Sequence, residues 1–170
     1  MNQNGGHVWV HSEPGQGATF RVCLPRVEAP AEPVERAGGG AGTLTGSETI
    51  LLVEDDELVR DLVRRVLEGS GYTVLAARDA SEALALLEQE GAGVELLLTD
   101  TVMPGMSGRE LAEQVSALRP DVRILFVSGY TGEVVINHGL LEPEVPLLLK
   151  PFTPGVLLRK VREVLDRPSP

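Results

Sequence analysis

The chain reads as an α/β protein, a sheet of βαβ units with helices on both faces preceded by a short β-hairpin. Three observations predict this. From residue 49 onward short apolar runs alternate with amphipathic helical stripes, the order of βαβ units with helices on both faces of a sheet. Four of those runs end in residues that carry chemistry: Ile50 to Val53 meets Glu54-Asp55-Asp56, Leu96 to Thr99 meets Asp100, Ile124 to Val127 meets Ser128, and Leu147 to Leu149 meets Lys150-Pro151. Ahead of them, residues 7 to 24 alternate with period two, as strands do.

Each element follows from its residues. Val8 and Val10 point away from His7, Trp9 and His11, and Phe20, Val22 and Leu24 oppose Arg21 and Cys23, with Glu13-Pro14-Gly15-Gln16-Gly17 as the turn of a hairpin over residues 1–25. Residues 26–47 are rich in Pro, Ala, Glu and Gly and read as a linker. Its run Ala37 to Gly42 is no phosphate loop, since no Gly-Lys-Ser/Thr follows. After the Ile50 strand, Leu58, Val59, Leu62, Val63, Val66 and Leu67 form a helical stripe closed by Gly69-Ser70-Gly71. Tyr72 to Ala76 make a second strand, and Ser81 is the expected cap of a helix bearing Ala83, Leu84 and Leu87. Gly108 to Leu118 is helical through Leu111, Ala112 and Val115 until Pro120. The last helix carries Leu157, Leu158, Val161, Val164 and Leu165. Residues 131–141 hold β-branched Val134-Val135-Ile136 and Gly139, and are expected to be the mobile segment.

Composition narrows the function. The 170 residues are 42% hydrophobic, enough for a core, and the formal net charge of -10 argues against nucleic acid or an anionic membrane as partner. The N-terminus has no leader pattern and no apolar run approaches the roughly 20 residues of a spanning helix, so the chain reads as cytoplasmic. Its single cysteine, Cys23, agrees with a reducing compartment and is expected to be a half-buried hydrophobe in a strand. His7 and His11 lack a third ligand and read as surface histidines.

In a parallel sheet the carboxyl ends of the strands converge on the crevice where such folds bind ligands. Clustered carboxylates, a hydroxyl and a lysine are the parts that hold a divalent cation and a phosphoryl group. An aspartate can attack phosphorus and carry an acyl phosphate, and Asp100 is the candidate nucleophile. A cation must screen Glu54, Asp55 and Asp100, and Mg2+, a hard ion with oxygen ligands, suits them. Lys150 supplies a point charge to the phosphoryl group and Ser128 a hydroxyl to one of its oxygens.

Val53-Glu54-Asp55-Asp56 with Arg60, Asp100 with Met103-Pro104-x-Met106-x-Gly108, Val127-Ser128-Gly129 and Lys150-Pro151-Phe152 together resemble the receiver domain of two-component response regulators, over residues 48–167. The resemblance implies a doubly wound five-stranded parallel sheet in the flavodoxin-like order 2-1-3-4-5 and a cis Lys150-Pro151 bond. It places the acidic metal pair on Glu54 and Asp55, adds the Val102 backbone carbonyl as a metal ligand, and leaves Asp56 and Glu57 as solvated charges at a helix start. It also implies a partner bearing phosphohistidine, either a histidine kinase or a phosphotransfer domain. The chain departs from the pattern at Val102, where many members are polar, and at Leu147, where they commonly carry a switch aromatic. Tyr130, two residues after Ser128, is expected to shield the acyl phosphate together with Val102 and to tune the switch.

Residues 4–25 resemble the last hairpin of a sensor histidine kinase ATP-binding domain. That family's Asn box and glycine-rich lid are absent from these residues, so no ATP-dependent kinase activity is expected from this chain alone. The arrangement resembles the C-terminal end of a hybrid histidine kinase. Two other functions compete with a phosphoacceptor switch. An Asp-nucleophile phosphatase would need an acid two residues after Asp100, where Val102 cannot serve. A protein-interaction module with vestigial phosphorylation would be read through residues 131–165, with Val134, Ile136, Leu140 and Leu141 exposed.

Overall fold

The computed structural model describes residues 7–15, 17–23, 25, 44–90, 93–129 and 145–167. The chain divides into two compact units, Met1–Gly39 and Gly40–Pro170. Tyr130 and the expected mobile segment 131–141 lie outside the described residues.

In the first unit, β1 (His7–Glu13) pairs antiparallel with β2 (Gly17–Cys23), with Val8 opposite Val22 and Val10 opposite Phe20. The register gathers these four apolar side chains on one face, and all are exposed within the unit. On the other face the His7 and Trp9 rings lie 5.8 Å apart. Cys23 is exposed rather than half-buried, because a two-stranded ribbon has no second layer to cover it.

The second unit is the predicted sheet. Five strands, β3 (Thr49–Val53), β4 (Thr73–Ala77), β5 (Val94–Asp100), β6 (Arg123–Ser128) and β7 (Leu147–Leu149), pair in parallel in the order β4-β3-β5-β6-β7. Counted from β3, this is 2-1-3-4-5. The described helices are α1 (Glu57–Glu68), α2 (Ala80–Glu90), α3 (Gly108–Leu118) and α4 (Pro154–Leu165). Alternation along the strands sends Leu51, Val53, Leu97 and Phe126 toward Ala83 and Leu87 of α2 and Leu111 and Val115 of α3. Ile50, Leu52, Leu96, Leu98 and Leu148 pack on the other face against Val63 and Leu67 of α1 and Leu157 and Val161 of α4. Each fully buried side chain of this size contributes roughly 1.5–3 kcal/mol, so two apolar layers hold the sheet.

Three local readings change. The buried face of α1 is narrower than its apolar stripe, with Leu58 and Leu62 exposed. Asp79, not Ser81, closes the start of α2: its Oδ1 accepts from the Glu82 N–H at 2.9 Å while Glu82 accepts from the Arg78 N–H at 2.9 Å. Asp79 lies three residues before Glu82, the capping-box spacing, whereas Ser81 is already inside the helix. The second strand runs from Thr73, one residue later than expected, because the Tyr72 N–H is still bonded to Leu67 O at the end of α1.

The approach to β3 is pinned. The Gly46 N–H donates to Ser70 O at 3.1 Å, and a Cβ at Gly46 would collide with the Tyr72 ring. Glu48 Oε1 meets the Arg162 guanidinium of α4 at 2.7 Å. No helix among the described residues is long and apolar enough to cross a membrane.

Candidate functional site

Asp100 ends β5, the central strand, and Glu54 follows β3 directly beside it, since Val53 pairs with Thr99. Lys150 follows β7 two strands away on the other side. A carboxylate could reach this crevice from any of four acidic neighbours, and the backbone decides which do. Asp56 turns away to cap α1, accepting from Leu58 N at 2.9 Å and Val59 N at 3.2 Å. Arg60, one turn into α1, donates from Nη1 to Glu54 O at 2.7 Å and to Asp55 O at 3.4 Å, which holds the backbone of the acidic pair over the sheet.

Glu54, Asp55 and Asp100 each offer a carboxylate oxygen within 4.8 Å of the others. These hard oxygen donors fit a Mg2+ ion, which takes one or two carboxylates and retains waters for the rest of its octahedron. Lys150 Nζ bridges the group, 2.7 Å from Glu54 Oε2 and 2.7 Å from Asp100 Oδ2. Asp100 Oδ1 accepts the Val102 N–H at 3.0 Å. Both oxygens of Asp100 are therefore oriented, one by the lysine and one by its own following turn.

Burial pushes the Glu54 carboxyl above its ordinary range, and the Lys150 hydrogen bond offsets only part of that. Burial pulls the Lys150 ammonium down, but its bonds to Asp100 and Glu54 outweigh this and leave it raised. The lysine is thus a fixed positive charge beside Asp100, able to stabilise negative charge on a transferring group.

Ser128 is fully buried, one residue past Val127, the partner of Asp100 across the β5–β6 ladder. Lys150 N–H donates to Ser128 O at 2.7 Å, which ties the two strand ends together, and the Lys150–Pro151 bond is cis. Val102 is half exposed, and Leu147 opens β7 and packs on the α2–α3 layer. The structure therefore brings Glu54, Asp55, Asp100 and Lys150 into one constellation, with the Ser128 backbone joined to Lys150.

The geometry also explains Gly108, which the motif contained without a stated role. A Cβ there would collide with the Asp100 carbonyl oxygen, so only glycine lets the start of α3 approach β5, where the Gly108 N–H donates to Thr101 O at 3.2 Å. Ser107 caps that helix in a reciprocal box with Glu110. The signal was present in the sequence, but a glycine at a helix start also reads as a simple turn.

Comparison with known proteins agrees with this geometry. Residues 50–162 match the response regulator receiver domain family. The chain is 36% identical over 174 residues to the sensor kinase CckA of Brucella abortus, covering 98% of this chain and 18% of that protein. It is 38% identical to the sensor histidine kinase AruS of Pseudomonas aeruginosa, covering 96% of this chain and 17% of that one. It therefore spans less than a fifth of either kinase. The response regulator receiver protein CpdR of Brucella abortus is 36% identical over 68% of this chain and 95% of its own. Among solved structures, the receiver domain of the hybrid histidine kinase CckA aligns with a TM-score of 0.59 at 33% identity, covering 69% of this chain and 99% of its own. The chemotaxis regulator CheY4 of Vibrio cholerae aligns with a TM-score of 0.62 at 29% identity, covering 70% and 99%. With its sheet order, its acidic crevice and these relatives in agreement, the chain belongs to the response regulator receiver domain family of two-component phosphorelay systems.

Proposed function

We propose that Asp100 is the phosphoacceptor of this domain and takes its phosphoryl group from a phosphohistidine. The bridging of Asp100 and Glu54 by Lys150, with Asp55 alongside, carries this reading: a nucleophilic carboxylate, a cation for the incoming charge and a hard-metal cluster share one crevice. A carboxylate oxygen of Asp100 forms a bond to phosphorus as the phosphorus–nitrogen bond breaks. The electron pair returns to the imidazole, which leaves neutral because its other nitrogen carries a proton. Mg2+, when bound by Glu54, Asp55, Asp100 and the Val102 carbonyl, would neutralise the phosphoryl oxygens. Lys150 steadies charge from the other side, and Ser128 supplies a hydroxyl to one phosphoryl oxygen.

The donor is a histidine kinase or a phosphotransfer domain. Similarity to two sensor kinases over nearly the whole chain supports residues 1–25 as the end of a kinase ATP-binding domain, 26–47 as a linker and 48–167 as the receiver of a hybrid kinase. Intact-mass measurement after incubation with acetyl phosphate and Mg2+ tests the assignment. One added phosphoryl group is expected in the wild type and none in Asp100→Asn or in EDTA. An unchanged wild-type mass, with Mg2+ binding shown, would overturn it.

A further inference from the structure

Thr101, the residue after Asp100, is 4% exposed, and its Oγ1 is buried with no hydrogen-bond partner. Its neighbour in kind, Thr99, is satisfied: that hydroxyl donates to Asp100 O at 3.1 Å and lies 3.9 Å from Met103 Sδ. A buried hydroxyl without a partner is destabilising, so its persistence at the nucleophile's shoulder needs a physical reason.

The backbone shows what lies next to it. The Thr101 N–H donates to Val127 O at 2.9 Å, the bond that places Thr101 opposite Ser128 when the Asp100–Val127 register is continued by one residue. Carrying the alternation of β5 one residue past its end puts Thr101 on the face of Leu97, and Ser128 shares the face of Phe126; Leu97 and Phe126 both pack in the α2–α3 layer. Adjacent strands lie about 4.8 Å apart, within reach of a hydrogen bond between two hydroxyls after a rotation about χ1. A serine hydroxyl has one proton to give and two lone pairs that accept.

We infer that Thr101 is a positioning residue for Ser128: when Ser128 donates to a phosphoryl oxygen on Asp100, the Thr101 hydroxyl donates to Ser128 Oγ. The inference rests on Asp100 being the phosphoacceptor. A chain of two hydroxyls polarises the outer one and strengthens its hold on the anion. It also gives the Thr101 hydroxyl a partner, so the cost of leaving it unpaired is recovered on the phosphorylated side of the switch. Valine matches the shape of threonine without the hydroxyl, and serine keeps the hydroxyl without the methyl.

The test uses the full chain, with beryllofluoride and Mg2+ as a phosphoryl mimic titrated by fluorine NMR, and urea unfolding as a check on the fold. Thr101→Val is expected to be at least as stable as the wild type yet to bind beryllofluoride about tenfold more weakly, the worth of one net hydrogen bond. Thr101→Ser is expected to restore binding to within about threefold. In a Ser128→Ala background, Thr101→Val is expected to change nothing further. A purely structural threonine would raise stability on substitution and leave the affinity unmoved, which would overturn the inference, as would an equal loss with and without Ser128. A wild type that binds no beryllofluoride would overturn the Asp100 assignment and this inference together. Normal wild-type binding with an unaffected Thr101→Val overturns this one alone.

Discussion

Replacing Lys150 by methionine keeps the aliphatic stem and removes the cation that bridges Glu54 and Asp100. Two charge-assisted hydrogen bonds of 2.7 Å are lost, each typically contributing about 1.5–3 kcal/mol, or roughly 3–6 kcal/mol if the two simply added. The net cost is smaller. The Lys150 side chain is 24% exposed, so solvent screens part of the attraction, and removing the ammonium returns its own desolvation cost. Glu54, at 6% side-chain exposure, cannot replace the lysine with water. A loss of about 2–3 kcal/mol follows, lowering the midpoint of thermal unfolding by about 10 °C for a unit of this size. Urea unfolding in EDTA, followed by far-ultraviolet circular dichroism, measures it at unchanged m-value. Millimolar Mg2+ should then narrow the gap to wild type, because a cluster of three carboxylates without its lysine binds a divalent cation more tightly, and a ligand stabilises the state that binds it. A loss below about 0.5 kcal/mol in EDTA, typical of an exposed pair, would refute the reasoning. So would a gap that Mg2+ leaves unchanged.

Three further outcomes are expected. The Arg162 hydrogen bond holds the Glu48 carboxyl below its ordinary value, so the pair stabilises the fold above about pH 4.5 and that stabilisation fades as pH falls through the lowered value. Glu48→Gln should therefore cost about 1 kcal/mol near pH 7 and progressively less as pH falls below about 4.5, and a cost that does not shrink with acid would contradict the pairing. Gly108→Ala should cost about 2–4 kcal/mol in the same urea assay, by forcing α3 away from the Asp100 carbonyl and losing the bond to Thr101 O; wild-type stability would mean the helix start can shift freely. Val102→Asn places an amide where an apolar side chain now flanks Asp100, and should shorten the life of the acyl phosphate severalfold, measured by loss of the added mass after removal of acetyl phosphate. An unchanged lifetime would show that Val102 does not keep water away.

Much of this molecule could be read from strand ends. Asp100, Glu54 and Lys150 stand at the tips of apolar runs, and a parallel sheet has one end at which such tips meet, so the constellation follows once the βαβ order is recognised. What could not be read depends on which of two adequate groups wins. Asp79 and Ser81 are both good cap residues, and only the spacing to Glu82 as seen in the folded turn separates them. Leu58 and Leu62 continue the stripe of α1, yet only Val59, Val63, Val66 and Leu67 pack against the core, so pattern alone overstates the buried face. Thr101 carries no signal in the sequence, since a threonine after an apolar run is an ordinary strand residue; its unpaired hydroxyl emerges only when β6 is set beside it.

The pinning of residues 46 to 48 onto Tyr72 and Arg162 has a consequence for how the unit is joined to other proteins. Those residues enter β3 at the end of the sheet opposite Glu54 and Asp100, so the covalent attachment and the reactive crevice occupy opposite poles. A fusion partner, tag or surface anchor placed ahead of residue 44 loads the pole that does no chemistry. Attachment point and crevice are thus separated by the length of β3, so a change in what is joined ahead of residue 44 leaves the strand ends that carry Glu54, Asp100 and Lys150 untouched.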